Sequence, residues 1–304
     1  MAISLDLGSN TFRALEYECI YHKKLAEYTK TVKTADGLAK SGKISDEAIA
    51  RVVSAILEAG ELMDIGSKPL RAVTTEALRR ATNSSEVLDR IESATGVRFE
   101  IISGQEEARL TLLAIEHRIE MLGIEANSFV SIDIGGGSTE VTFVYGESVI
   151  SRSFPIGIVT TTQSYSTLDE ISQALPQEMS DIAIFVENIQ SQYGRADIYL
   201  ATAGTPTTLA SMKHGFSYAT YDAKMINGTT INIDEIDIYL HQLEMMTPID
   251  RELTVGVGRY DLILTGTLIY KTLYQILGFE SCIVIDDGLR EGVVHDICTE
   301  ADSY

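Results

Sequence analysis

Basic residues, cysteine, histidine and proline are all scarce in this sequence, and tryptophan is absent. Lysine and arginine number 24 against 44 aspartates and glutamates, giving a net charge of −20 over 304 residues. A duplex-binding protein displaces counterions with a basic footprint, and the chain as a whole has none, so nucleic acid is excluded as a partner. Any anionic substrate would meet a repulsive field, so its site must supply positive charge locally, from a metal ion, an arginine or backbone N–H groups. Cys19, Cys282 and Cys298 are odd in number, far apart and without CxxC spacing, which predicts buried thiols in a reducing cytoplasm. The five histidines show no zinc-ligand spacing, and no zinc site is predicted. Apolar runs such as Phe129 to Ile134 are strand-sized, so no membrane span is predicted. The sequence opens on a strand-like run, Ala2 to Leu7, with no basic leader, and a cytoplasmic protein is expected.

What is present is an α/β pattern long enough for two domains. Ile3-Ser4-Leu5-Asp6-Leu7-Gly8-Ser9-Asn10-Thr11 is echoed by Val130-Ser131-Ile132-Asp133-Ile134-Gly135-Gly136-Gly137-Ser138, at a constant offset of 133 less 6, or 127 positions. Each copy is an apolar strand ending in Asp, a turn of glycine and small residues, and two further strands, near 12–20 and 25–32 and near 139–145 and 148–154. A repeat this long points to duplicated domains rather than a solenoid. Helices are predicted from about Ser45, from about Gln105 to Leu122, over 168–174 and 177–193 on either side of Pro176, near 235–245 and 262–277, and at the end of the chain.

The two turns carry the chemistry. Glycine lets the main chain approach a ligand and present successive N–H groups to phosphate oxygens, which makes Gly8, Ser9, Asn10 and Thr11, and Gly135, Gly136, Gly137 and Ser138, candidate phosphate binders. An Asp at a strand end can hold magnesium directly or through water. Asp133, Glu140 seven residues on, and Asp6 are therefore candidate ligands for Mg2+ or another divalent cation, whereas Arg13 takes the place of Glu140 in the first copy. Ser103 and Glu106 have capping-box spacing. That gives Glu106 a structural task and leaves Glu107, about 100° further round the helix, for chemistry. Near a helix start its ionised form is favoured, as a base requires.

The paired Asp-Leu-Gly-Ser-Asn and Asp-Ile-Gly-Gly-Gly-Ser turns resemble those of the actin, sugar-kinase and chaperone ATPase superfamily. With Thr75 to Arg79, Ile102 to Arg109, Ala203-Gly204-Thr205 and Asp287 to Gly292, the chain resembles the exopolyphosphatase/guanosine pentaphosphatase (Ppx/GppA) family along nearly its whole length. The resemblance implies two ribonuclease H-like, actin-like lobes with an interlobe phosphate-binding cleft. It places residues 1–117 plus about 289–304 in lobe I and 118–288 in lobe II. It implies magnesium-assisted hydrolysis of terminal phosphate from polyphosphate or guanosine pentaphosphate, a stringent-response metabolite. Glu107 would activate water, Arg79 would contact the phosphoryl group, and Gly204 and Thr205 would add phosphate contacts. Arg259-Tyr260-Asp261 departs from the family's usual Arg-Ala-Asp. The short two-domain form lacks the family's further C-terminal module, which favours short substrates. A homodimer is a possible assembly. The alternatives are an actin-like kinase or ATPase, which needs an adenosine pocket, and a non-catalytic guanosine-phosphate sensor.

Overall fold

A computed structural model describes residues 1–301, with side chains as far as Thr299. Two units emerge, one joining residues 1–115 to the chain from Gly288 onward, the other comprising Glu116–Asp287.

In the first unit, β1 (Ala2–Leu7), β2 (Thr11–Glu18) and β3 (Lys23–Thr31) form an antiparallel meander, and β4 (Leu70–Thr74) and β5 (Glu100–Ile101) continue it in parallel. The sheet order is β3-β2-β1-β4-β5. Every residue of β1 is buried, as expected of a central strand covered on both faces. The helix Asp46–Leu62 starts where Ser45 accepts a hydrogen bond from the Ala48 amide, and it buries Ile49, Val52, Ile56 and Ala59 along one stripe. The helices Gly104–Met121 and Leu289–Ala301 pack so closely that a Cβ on Gly292 would lie 1.8 Å from the Leu110 carbonyl oxygen.

The second unit repeats the plan. β6 (Ser128–Ile134), β7 (Thr139–Tyr145) and β8 (Ser148–Phe154) form the meander, and β9 (Ile198–Thr202) adds in parallel beside β6. β10 (Thr229–Asn232) and β11 (Ser281–Val284) complete the order β10-β11-β9-β6-β7-β8. β11 runs parallel to β9, as β5 does to β4, and β10 is an extra antiparallel edge. The sequence echo thus corresponds to a repeated topology, two antiparallel neighbours and a parallel crossover around each Asp-bearing strand. The core gathers Val130, Ile132, Val141 and Phe143 from the sheet with Ile269, Tyr270, Leu273 and Tyr274 from the helix Ile263–Leu277.

Local expectations fail in three places. Pro176 does not end its helix, which runs Leu168–Glu178 and breaks at Met179. Proline forfeits one backbone bond there, and only a few residues of helix remain beyond it. The helix Pro248–Val255 has no counterpart in the sequence reading, because its apolar residues Ile249 and Leu253 face outward. The expectation of three thiols is overturned. Cys19 and Cys298 form a disulfide with Cα atoms 5.5 Å apart, and only Cys282 is a free buried thiol. Their 279-residue separation hid the pairing, which arises because Leu289–Ala301 lies along β1 and β2. Among the described residues no helix is long and apolar enough to cross a membrane.

Candidate active site

In the first unit the turn after β1 is closed by Gly8 N–H donating to the Thr11 carbonyl at 3.0 Å. The Ser9 and Asn10 carbonyls accept from Ala35, Val32 and Lys33. The Ser9 and Asn10 amides take no backbone acceptor among the described residues, so the turn is held through its oxygens and keeps donors for a ligand. The Asn10 side-chain oxygen is buried without a hydrogen-bond partner, which in a native turn points to a ligand or water. Asp6 is buried at the strand end, directly opposite Arg13 on β2.

Glu107 and Arg79 come together beside this sheet. Glu107 is buried in the first turn of Gly104–Met121, at 8% exposure. Its carboxylate accepts from Arg79 Nη1 at 2.8 Å, and the same nitrogen donates to the Ile102 carbonyl at 2.9 Å. Arg79 Nε donates to Glu76 at 3.0 Å. Its Nη2 is an equal 3.0 Å from that carboxylate, yet it is buried and makes no aligned hydrogen bond. Burial opposes the guanidinium charge, but Glu107 and Glu76 outweigh it and raise the arginine's pKa. Arg79 therefore stays charged, with its Nη2 ion-paired to Glu76 but without an aligned hydrogen bond. Glu106 is occupied elsewhere, as expected, although not by completing a capping box. Its amide donates to the Ser103 hydroxyl oxygen at 3.1 Å, while its carboxylate pairs with Arg71 and Arg109.

In the second unit Asp133 and Glu140 are register partners across β6 and β7. Two carboxylates on facing strand positions, flanking a glycine turn, form an oxygen-donor set of the kind magnesium takes. Glu140 is buried and accepts from Ser153 Oγ at 2.6 Å, which orients one oxygen. The turn closes with Gly135 N–H on the Ser138 carbonyl at 2.9 Å. The Gly135 and Gly136 carbonyls are taken by the amides of Ile158, Val159 and Thr160, and again the amides of Gly136, Gly137 and Ser138 have no backbone acceptor among the described residues.

Gly157, which the sequence reading missed, makes this arrangement possible. A Cβ there would come within 2.5 Å of the Gly136 and Gly137 backbone. Its only sequence signal is a glycine following Pro155-Ile156, just before a helix start.

The Ala203-Gly204-Thr205 turn lies in the same unit, at the start of Gly204–Lys213. Ala203 adopts φ 71° and ψ −169°, a region almost reserved for glycine. Arg259 Nη2 donates to the Gly204 carbonyl at 2.9 Å and approaches Thr208 Oγ1 at 3.3 Å. A Cβ on Gly204 would meet that guanidinium at 2.4 Å. Arg259 thus braces the turn, a role its sequence segment did not disclose. Around the last glycine turn, Glu291 is engaged within the first unit. Glu291 accepts from the Gly288 amide at 3.1 Å, from Arg290 Nε at 2.9 Å and from Lys24 Nζ at 2.9 Å.

The sequence as a whole matches the model of the Ppx/GppA phosphatase family over residues 18–301. The chain belongs to that family. Exopolyphosphatase 1 of Mycobacterium leprae (strain TN) is 29% identical over 315 residues, spanning 98% of this chain and 90% of that protein. Guanosine-5'-triphosphate,3'-diphosphate pyrophosphatase of Aeromonas hydrophila is 25% identical, covering 97% of this chain but only 58% of that longer protein. Among solved structures, the Aquifex aeolicus Ppx/GppA family member superposes with a TM-score of 0.74 at 25% identity, covering 99% of this chain and 98% of that one. An exopolyphosphatase from Cytophaga hutchinsonii reaches 0.85 at 20% identity, with 98% of each chain covered, a likeness of fold. This phosphatase accordingly has the α/β fold of its family, with one sheet plan used in both units.

Proposed function

We propose that this phosphatase hydrolyses the terminal phosphoanhydride bond of inorganic polyphosphate, guanosine pentaphosphate or both, with Glu107 as the base that activates water. The observation that carries the reading is the Arg79–Glu107 pair, a buried carboxylate 2.8 Å from a guanidinium whose Nη2, beside Glu76, makes no aligned hydrogen bond. Glu107 takes a proton from water as its oxygen attacks the terminal phosphorus. The bridging P–O bond breaks and the leaving phosphate carries away the electron pair. A positioned base contributes about 10²–10⁴-fold. Arg79 contributes charge to the equatorial oxygens of the phosphoryl group.

The amides of Ser9 and Asn10 in one lobe, and of Gly136, Gly137 and Ser138 in the other, would hold phosphate oxygens, with Gly8, Thr11 and Gly135 shaping the turns. Gly204 and Thr205 would add contacts from the braced turn. The oxygen donors Asp133 and Glu140 in the second unit would hold a magnesium ion, with Asp6 a candidate ligand in the first, and magnesium would supply charge neutralisation at the phosphoryl oxygens. Relatives named exopolyphosphatase, matched over most of their length, support polyphosphate, and the Aeromonas enzyme supports guanosine pentaphosphate. A net charge of −20 disfavours long polyanions, so short chains are the preferred polyphosphate.

Phosphate release with magnesium from short polyphosphate, long polyphosphate, guanosine pentaphosphate and ATP, with Glu107→Ala alongside, tests the reading. Release from one of the first three, lost in the variant, is expected. A folded protein that binds one of these compounds and releases nothing would instead be a sensor.

A further inference from the structure

Threonine inside a helix has an ordinary use for its hydroxyl, a hydrogen bond back to the carbonyl one turn earlier. Thr95, Thr208, Thr267 and Thr272 follow it, donating to the carbonyls of Ile91, Gly204, Ile263 and Leu268 at 2.6–2.9 Å. Thr111 does not. It lies in the part of Gly104–Met121 that belongs to the first unit, and it is 5% exposed. Its hydroxyl oxygen is buried with no hydrogen-bond partner among the described residues. Valine would fill the same space without the cost of desolvating a hydroxyl. A buried polar atom that the protein does not satisfy points to a ligand or a water.

The neighbour of Thr111 gives the hydroxyl a use. Residues four apart on a helix share a face, with Cβ atoms about 5–6 Å apart, and side chains lean toward the helix start. The residue one turn before Thr111 is Glu107. Its carboxylate accepts from Arg79 Nη1 at 2.8 Å, and Arg79 is fixed in turn to the Ile102 carbonyl and Glu76. An ionised carboxylate offers about four lone-pair sites, so the bond from Arg79 leaves capacity for water. A single water bridging two oxygens at hydrogen-bond length sets them about 4.5–5.5 Å apart, the spacing of neighbours one turn apart.

We propose that Thr111 is a positioning residue for the hydrolysis, its hydroxyl oxygen accepting a hydrogen bond from the water that Glu107 deprotonates. The inference rests on the reading of Glu107 as the base. Water has two protons, and Glu107 takes one as the oxygen attacks. Thr111 holds the other, so the direction of the attacking lone pair is fixed. As the new P–O bond forms, the bridging P–O bond breaks and the leaving phosphate takes its electron pair. The proton held by Thr111 departs on the released phosphate, and the threonine keeps its own. Orientation of this kind raises turnover and leaves substrate affinity nearly untouched.

Phosphate release from short polyphosphate and from guanosine pentaphosphate, with magnesium, is measured for Thr111→Val, Thr111→Ser and Glu107→Gln, each with its thermal midpoint. Thr111→Val removes the hydroxyl at nearly constant shape. It should lower kcat about 5–10-fold, the worth of one neutral hydrogen bond, with KM within about twofold of the parent's. Its midpoint should stay at or above the parent's, because a hydroxyl without a protein partner adds no stability. Thr111→Ser keeps the hydroxyl and should recover most of the lost turnover. An unchanged kcat in Thr111→Val, with Glu107→Gln inactive, would overturn the inference and leave the reading of Glu107 standing. Turnover retained in Glu107→Gln would overturn both. A midpoint that falls together with kcat in Thr111→Val, without recovery in Thr111→Ser, would make Thr111 a packing residue and overturn the inference as well.

Discussion

Arg79 and Glu107 meet at 2.8 Å, drawn from the end of one short helix and the first turn of another, and each has a second anchor. Arg79 is tied to Glu76 and to the Ile102 carbonyl, and Glu107 to its helix. Replacing the carboxylate by an amide keeps an acceptor for Arg79 and removes the charge and the basicity. Glu107→Gln should therefore lower kcat by about 10²–10⁴-fold in protein shown by circular dichroism to be folded, a loss larger than the drop in thermal midpoint from weakening the buried pair with Arg79 can explain. Steady-state phosphate release provides the check, and retention of more than a few per cent of activity would remove Glu107 from the role of base.

Asp133 and Glu140 face each other across two strands, and Ser153 orients the second of them. If both hold magnesium, chelation should abolish phosphate release and added magnesium restore it. Glu140→Gln should raise the magnesium concentration needed for half-maximal rate by about tenfold or more, with recovery at saturating metal. A variant with the parent's magnesium dependence would show that the carboxylate is only a strand residue.

Much of this fold was legible because its signals are local. β7 and β8 occupy the ranges read from the sequence, 139–145 and 148–154, and the Asp-Gly turns fall at strand ends. Capping-box spacing marked Glu106 as structural, although its carboxylate pairs with Arg71 and Arg109 instead of closing the box, and the choice of Glu107 rested on the family resemblance as well. Relationships made by distant segments were not legible. No pattern within the chain tells that Arg259 reaches Gly204, that Gly157 must lie against Gly136, or that Cys19 finds Cys298. The helix Pro248–Val255 escaped for another reason. Its cap is readable, Thr247 followed by Pro248, but with Ile249 and Leu253 exposed it shows no inward stripe.

Gly157 offers a test of how tightly the second turn is held. A methyl group there would press to within 2.5 Å of two backbone atoms that cannot swing away. Gly157→Ala should destabilise the protein by about 1–3 kcal/mol, as overpacking does. Activity should fall further than stability explains, because the displaced atoms belong to the Gly136–Ser138 amides. Unfolding curves and phosphate release measured on one preparation separate the two effects. A variant with normal kcat would show that these amides do not hold the substrate.

Ala203 gives a prediction of the opposite sign. Its φ of 71° and ψ of −169° cost an alanine about 1–3 kcal/mol, and glycine adopts them without the Cβ clash. Relief of that strain exceeds the entropy glycine adds to the unfolded chain, so Ala203→Gly should stabilise the protein by roughly 1 kcal/mol. Denaturant unfolding is the measurement. A loss of stability would mean that the Arg259 brace, rather than backbone strain, governs this turn.

Glu291 supplies the pH dependence. It is buried, and burial alone would raise its pKa, but the charges of Arg290 and Lys24 with their hydrogen bonds outweigh this and hold it far below the usual carboxylate value. A carboxylate whose pKa is depressed on folding stabilises the native state above its unfolded pKa, near 4.3, and that contribution is lost as pH falls toward the folded value. At neutral pH, Glu291→Gln leaves Arg290 short of its nearest anion and should cost about 3–5 kcal/mol. As pH drops below about 4.3 the parent loses this stabilisation and the variant has none to lose, so the gap between their thermal midpoints should narrow. Melting both proteins from pH 7 down to pH 3 tests the linkage. A gap constant over that range would mean that Glu291 acts through packing and the Gly288 cap, with its charge contributing nothing.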